Sequence, residues 1–210
     1  MTAALILVDL QNDFCTGGRL EVPGGEFVVP VANRVMAAFD LVVATQDWHP
    51  ADHESFAEQH PGRSPGEVID LHGLEQVLWP VHCVQGSKGA DFVRSLNKRK
   101  LAKVFPKGTD RTVDSYSGFF DNGRRSSTGL SDYLRGQGVS VVFVMGLATD
   151  YCVKFTALDA HSEGFQTHLI QDGCRGVDLK EGDSQRAIAE MSAAGISLTT
   201  SSKVSDGKAL

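Results

Sequence analysis

Five side chains of types used in catalysis and metal binding lie just after short apolar runs of the sequence. They are Asp9, Asp47, His49, Lys107 and Cys152. If each apolar run is a strand of an open parallel sheet, these side chains lie at the carboxyl ends of the strands, where such sheets bind ligands. Together they would bring a carboxylate, a cation, a thiol and two metal ligands to one edge of the sheet.

Asp9 and Lys107 are candidates for a catalytic carboxylate and its charge partner. Asp9 interrupts an apolar run after Val8, where an unpaired carboxylate is costly. Taken alone, Asp9 is also typical of a turn cap at a strand end, and Lys107 of a lysine that extends to water. The coincidence of several such groups at adjacent strand ends favours the catalytic interpretation.

Cys152 is the candidate nucleophile. The segment 146–152 has the pattern of a strand, a tight turn of small residues and a helix start. Unpaired N–H groups and the positive end of a helix are expected to lower the pKa of a thiol there and to stabilise an oxyanion. The alternative role, a small buried hydrophobe, fits Cys15, Cys83 and Cys174 better.

Asp47 and His49 form a candidate metal-binding pair. In extended backbone, residues two apart point to the same side, so both side chains can reach one ion. A third ligand would complete an open site of the catalytic type. Six other histidines are available: His53, His60, His72, His82, His161 and His168. His82 is favoured because Pro80 and neighbouring aromatic residues restrict its backbone, although an Asp-x-His pair alone is also typical of a surface turn.

The elements that must position these groups are short apolar runs alternating with helical patterns. Six runs predict buried strands: 5–10, 41–45, 101–105, 141–145, 167–170 and 196–199. Helical spacing covers 30–39, 152–162 and 187–194, with Thr149 and Asp150 as possible caps and Gly195 as a stop. This alternation predicts a three-layer α/β fold, Rossmann-like, whose central, mostly parallel sheet has helices on both faces.

Composition limits the class of protein further. The 210 residues predict a single domain, 1–210, with a proline- and glycine-rich excursion at about 46–90 that carries the metal pair. A net charge of −6 argues against a nucleic-acid partner. The longest apolar run has eight residues, 141–148, so no membrane span is expected, and the sequence before Asp9 lacks the pattern of a signal peptide.

At these motifs the chain resembles the isochorismatase-like cysteine hydrolases, and within them the branch that hydrolyses nicotinamide and pyrazinamide. The resemblance extends from Leu5 to about Thr200. The matching stretches are 8–15, 46–50, 79–84, 113–117, 119–122 and 145–155. Several such stretches in the same order make the match specific.

The resemblance implies roles for individual residues. It implies a triad of Asp9, Lys107 and Cys152, and an oxyanion hole from the N–H groups of Ala148 and Cys152, after a cis peptide bond between Leu147 and Ala148. It also implies metal ligands and a ring pocket. The implied ligands are Asp47, His49 and His82, with His53 as an additional or neighbouring group. The implied pocket residues are Phe14, Leu20, Trp79 and Tyr116.

The resemblance also implies a reaction and its setting. Nicotinamide would be hydrolysed to nicotinate and ammonia through a cysteine thioester, with one divalent ion bound, Zn²⁺ or otherwise Fe²⁺ or Mn²⁺. The setting would be NAD salvage in the cytoplasm, where thiols stay reduced, by a possible homo-oligomer. The alternatives are an amidase for another small carboxamide, a metal-water hydrolase in which Cys152 is structural, and a non-catalytic binding module.

Overall fold

The computed structural model describes residues 2–205, and its centre is a six-stranded parallel sheet. The strands are β1 (Thr2–Val8), β2 (Leu41–Asp47), β3 (Val68–Leu71), β4 (Leu74–Val77), β5 (Lys103–Lys107), β6 (Val139–Leu147), β7 (Gln166–Arg175) and β8 (Ser197–Thr199). The order across the sheet is β5-β2-β1-β6-β7-β8, and each neighbouring pair is parallel. All six predicted strands are therefore confirmed, with bounds that differ by a few residues.

Helices cover both faces of the sheet, which confirms the predicted three-layer α/β class. The α-helices are α1 (Val28–Val35), α2 (Leu130–Gly136), α3 (Lys154–Ser162), α4 (Asp183–Ala193) and α5 (Ser201–Ser205). Helix α1 packs with α5, and α3 packs with α4. Right-handed crossovers place these two pairs on opposite faces, because the chain moves in opposite directions across the sheet around them. None of the helices in residues 2–205 is long and apolar enough to cross a membrane.

The strand order reverses between β1 and β6. From β1 the chain moves to β2 and β5 on one side, and then crosses back to β6, β7 and β8 on the other. Ligands bind at the carboxyl ends of strands at such a reversal. The two strands are very close at this point, since a Cβ added to Gly146 would lie 2.7 Å from the backbone nitrogen of Val8.

The excursion at 46–90 contains a structure that the sequence pattern did not predict. Strands β3 and β4 form an antiparallel hairpin, separate from the main sheet. Bridges join His49 to Val84 and Phe56 to Trp79, so the two ends of the excursion lie against each other. Helix α2 was also not predicted, because its seven residues are too few to show a clear apolar period.

Candidate active site

Asp9 is the first residue after β1 and is completely buried. Its backbone is in the left-handed region, with φ +49°, a conformation that is rare for residues other than glycine and that is concentrated at functional sites. The Thr45 hydroxyl donates a hydrogen bond to Oδ1 at 2.6 Å. Within residues 2–205, Oδ2 is paired only with the Lys107 ammonium, at 3.0 Å.

Lys107 is the last residue of β5 and its ammonium is fully buried. Nζ lies 3.0 Å from Asp9 Oδ2 in an ion pair and donates hydrogen bonds to Asp47 Oδ1 and the Ser115 carbonyl, both at 2.8 Å. It also donates to Cys152 Sγ at 3.4 Å. Burial acts to lower the pKa of Lys107, but the charges of Asp47 and Asp9 outweigh it and hold that pKa well above its usual range.

Cys152 is buried beside this ammonium, in a π-helical turn, Thr149–Val153, that precedes α3. Burial raises the pKa of the Cys152 thiol well above its usual range, and the Lys107 charge offsets only part of that rise. The prediction that the helix start lowers the pKa of Cys152 is therefore wrong for the site without substrate, because the effect of burial on the thiol is larger than the effect of nearby positive charge. Burial also raises the pKa of Asp9, so its carboxylate is a stronger base than that of an exposed aspartate.

The turn that carries Cys152 contains two backbone N–H groups that are candidates for an oxyanion hole. The Leu147–Ala148 peptide bond is cis, as the resemblance implied. Within residues 2–205, the N–H groups of Ala148 and Cys152 make no hydrogen bond to a group outside this turn. Paired backbone N–H groups of this kind can bind an oxyanion.

Thr149 and Asp150 do not cap the helix, contrary to the sequence prediction. No side-chain hydrogen bond caps this turn. The Asp150 carboxylate instead accepts hydrogen bonds from the N–H groups of Val177 and Asp178, at 3.0 and 2.8 Å. These hydrogen bonds connect the turn that contains Cys152 to the loop that follows β7.

Asp47, His49 and His82 form a buried group whose ligand atoms all lie within 4.8 Å of one another. The Nδ1 atoms of His49 and His82 each lie 2.8 Å from a backbone carbonyl, of Gly108 and Pro80 respectively. Because only N–H can donate to a carbonyl, both neutral rings carry their proton on Nδ1 and present a lone pair at Nε2.

These lone pairs face another acceptor. Asp47 Oδ2 lies 3.1 Å from Nε2 of His49 and 3.3 Å from Nε2 of His82. A proton on His49 is one way to satisfy these atoms, since, despite burial, the charge of Asp47 raises the pKa of that ring. A divalent metal ion is another, because two nitrogens with one carboxylate oxygen are a suitable donor set. The residues present therefore fit the predicted ion.

His53 is brought next to His49, with ring centroids 4.4 Å apart, but it does not join the same group. Its ligand atom clusters with His49 and Asp114 instead. Nδ1 of His53 accepts the Ser55 N–H at 3.1 Å, so the neutral ring carries its proton on Nε2, the opposite of His49 and His82. Burial lowers the pKa of His53, which favours the neutral ring.

A pocket opens beside these groups, with about 340 Å³ of empty space that is continuous with solvent. All four predicted pocket residues line it, together with Asp47, His82, Ala148 and Cys152. The indole of Trp79 donates to the Tyr116 hydroxyl at 3.2 Å, which fixes two of the aromatic walls relative to each other.

Several residues of the site were not found from the sequence. These are Thr45, the Ser115 carbonyl, Gln11, and the pocket residues Asp114, Tyr151 and Val177. Gln11 pairs with the Asp47 backbone through both ends of its amide, at 2.7 and 2.8 Å. Its place in the motif 8–15 was the available signal, but spacing alone does not show which backbone an amide will contact.

The chain is similar to known proteins over nearly its whole length. Residues 3–203 match the isochorismatase domain. The chain is 54% identical to the nicotinamidase of Escherichia coli (strain K12) over 201 residues, which cover 94% of each protein. The structure of an Acinetobacter baumanii nicotinamidase and pyrazinamidase is similar, with a TM-score of 0.94, 42% identity and coverage of 97% of this chain and 98% of that chain. A Pyrococcus horikoshii pyrazinamidase in complex with zinc has a TM-score of 0.78, 39% identity and coverage of 95% and 99%.

The chain therefore belongs to the isochorismatase family, in which it is a hydrolase. Its sequence and fold are similar to those of the nicotinamidase members over almost the whole chain, which confirms the resemblance and the enzyme class predicted from the motifs.

Proposed function

We propose that this hydrolase converts nicotinamide to nicotinate and ammonia, with Cys152 as the covalent nucleophile. The observation that carries the proposal is the Lys107 ammonium, which lies within 3.4 Å of Asp9, Asp47 and Cys152 and so joins a triad to a metal-binding group. The names of the similar proteins support nicotinamide as substrate, and pyrazinamide as a second one.

The first step is attack of the Cys152 sulfur on the carboxamide carbon. Asp9 accepts the thiol proton on Oδ2, which within residues 2–205 is paired only with the Lys107 ammonium. Lys107 stabilises the sulfur anion as it forms. The oxyanion of the tetrahedral intermediate is held by the N–H groups of Ala148 and Cys152, and loss of one such donor typically costs about 10²–10³ in rate.

Collapse of the intermediate requires a proton on the departing nitrogen. Asp9 returns the proton that it took from the thiol, so that ammonia leaves and a thioester remains on Cys152. Asp9 then removes a proton from a water molecule that attacks the thioester, which releases nicotinate and restores the thiol.

Asp47, His49 and His82 would hold the divalent ion, with His53 as a neighbouring group rather than a ligand. When bound, the ion supplies a Lewis-acid contact for the pyridine nitrogen, which orients the ring. The donor set suits Zn²⁺, and the zinc complex of a similar pyrazinamidase supports that choice over Fe²⁺ or Mn²⁺. Phe14, Leu20, Trp79 and Tyr116 would enclose the flat ring.

We place the reaction in the recovery of nicotinamide for NAD synthesis, in the cytoplasm. All four cysteines are free. The mechanism requires Cys152 as a free thiol, which a reducing compartment maintains.

Ammonia release from nicotinamide, with metal analysis on the same sample, tests the function. Cys152→Ala should abolish release while it retains the metal, and Cys15→Ala is the matched control at an equally buried thiol, since both residues are 8% exposed. Turnover of Cys152→Ala at the wild-type rate would exclude the thioester mechanism. Equal turnover of nicotinamide and benzamide would exclude binding through the ring nitrogen and favour another small carboxamide.

A further inference from the structure

The two oxygens of the Asp47 carboxylate face two different parts of the site. Oδ1 accepts a hydrogen bond from Lys107 Nζ at 2.8 Å. Oδ2 lies 3.1 and 3.3 Å from the Nε2 atoms of His49 and His82, where the ion would bind. The carboxylate is 4% exposed, so water does little to separate these two interactions.

Strand pairing fixes the contact between Asp47 and Lys107. The two residues are register partners at the ends of the adjacent parallel strands β2 and β5. Gln11 holds the Asp47 backbone from the other side, through both ends of its side-chain amide. Asp47 therefore cannot turn towards the ion without keeping Lys107 as its neighbour.

The Lys107 ammonium interacts with several groups at once. Besides Asp47, its ammonium lies 3.0 Å from Asp9 Oδ2 and 3.4 Å from Cys152 Sγ. Two carboxylates and a sulfur thus compete for one cation in a site with little solvent, where charges interact strongly. Any change in the charge of Asp47 must alter how strongly Lys107 acts on the other two.

We propose that Asp47 couples metal binding to the reactivity of the Cys152 thiol, and that Lys107 carries the coupling. With a divalent ion on Oδ2, the negative charge of Asp47 is drawn away from Lys107. More of the field of the ammonium then acts on Cys152 Sγ, which favours the thiolate before any substrate is bound. This inference rests on the proposed roles of Cys152 and Asp47, and it adds nucleophile activation to the part that the metal ligands play in positioning the ring.

The test measures alkylation of Cys152 by iodoacetamide in the absence of substrate, with peptide mass spectrometry as the readout. Chelator-treated enzyme is compared with enzyme that holds one equivalent of Mn²⁺, a metal with little preference for thiolates. We expect the metal to increase the alkylation rate of Cys152 by at least about fivefold. Cys15, equally buried but outside the site, is the internal control and should not change.

Two comparisons separate a more reactive thiol from a more open pocket. The gain should be similar for iodoacetamide and for the bulkier N-ethylmaleimide; a gain confined to the bulkier reagent would show a change of access and overturn the proposal. The gain should also fall in Lys107→Met, and an undiminished gain in that variant would remove Lys107 from the coupling.

The wild-type enzyme alone is enough to test whether metal binding changes the reactivity of Cys152. Enzyme that binds one equivalent of Mn²⁺ and releases ammonia, yet shows unchanged or slower alkylation of Cys152, would overturn the coupling and leave the proposed function intact. Enzyme that binds no metal, or that releases ammonia without Cys152, would contradict the proposed function itself.

Discussion

The triad and the metal group are supported in different ways, although they share one pocket. The triad residues lie at or just beyond the ends of β1, β5 and β6 in the six-stranded sheet, where the ladder of backbone hydrogen bonds sets their positions. Among the metal ligands only Asp47 lies in a strand, and His49 and His82 lie in the excursion at 46–90. Their rings are held by single hydrogen bonds to the carbonyls of Gly108 and Pro80.

This difference predicts how much positional error the triad and the metal ligands can each tolerate. Attack by a sulfur atom requires alignment to within a few tenths of an ångström, which a paired sheet provides. A metal ion can shift slightly to suit its ligands. Histidines in a loop can therefore hold it, provided that the ring nitrogen facing away from the ion is fixed by a hydrogen bond. Changes to the triad should therefore alter kcat, and changes to the loop should alter metal affinity.

Asp9→Asn should have the largest effect, because the amide can neither take the thiol proton nor return it to ammonia. We expect kcat to fall by about 10³- to 10⁴-fold. Metal content should stay at the wild-type level, since Asp9 is not one of the ligand atoms. Ammonia release and metal analysis measure both, with the exposed Asp40→Asn as control; a loss of less than tenfold would contradict the role of Asp9.

Gly108→Ala should weaken the metal site selectively. A Cβ on Gly108, which has φ +62°, would lie 2.7 Å from His49 Nδ1 and displace that ring. We expect metal affinity to fall about 10- to 100-fold. Gly62→Ala is the matched control, because Gly62 has φ +82° but open space around it.

Both glycine variants should lose about 1 kcal/mol of stability from the left-handed backbone alone. Thermal unfolding and metal titration on the same samples separate strain from ligand displacement. Equal metal affinity in the two variants would show that His49 does not depend on the Gly108 backbone.

Gln11→Ala should give the smallest of these effects, a loss of about tenfold in metal affinity. Its amide holds the Asp47 backbone and also donates to the Ala90 carbonyl at 2.9 Å. Gln46→Ala is the control, because the Gln46 side-chain amide donates to the same carbonyl at 2.9 Å and not to the Asp47 backbone. If both variants lose metal affinity equally in a titration, the loss comes from the hydrogen bond to the Ala90 carbonyl and not from the hydrogen bonds between Gln11 and the Asp47 backbone.

The sequence was sufficient for the sheet and for most of the reactive side chains, because both follow local patterns. Apolar runs mark buried strands, and polar residues that end such runs, such as Asp9 and Lys107, meet at one edge of a parallel sheet. His82 was selected from six histidines by the restricted backbone around it, and the structure places it beside Asp47.

What the sequence did not provide depends on contacts distant along the chain. The Lys107 contact to Asp47 follows from the register of two strands, and Thr45 reaches Asp9 only because β1 and β2 are adjacent. The pKa of Cys152 was predicted in the wrong direction because a helix start is visible in the sequence and the depth of burial is not. The resemblance implied His53 as an additional or neighbouring group, and only the Ser55 N–H shows which of its ring nitrogens is protonated.

Gly146 limits the sequences that are compatible with this active site. It has φ +135°, pairs with Val8 across β1 and β6, and has no room for a side chain. The residues that follow these partners include Asp9 on one strand and the turn of Cys152 on the other. Active members of a mutational library should therefore all keep glycine at 146, a residue that takes part in no chemical step.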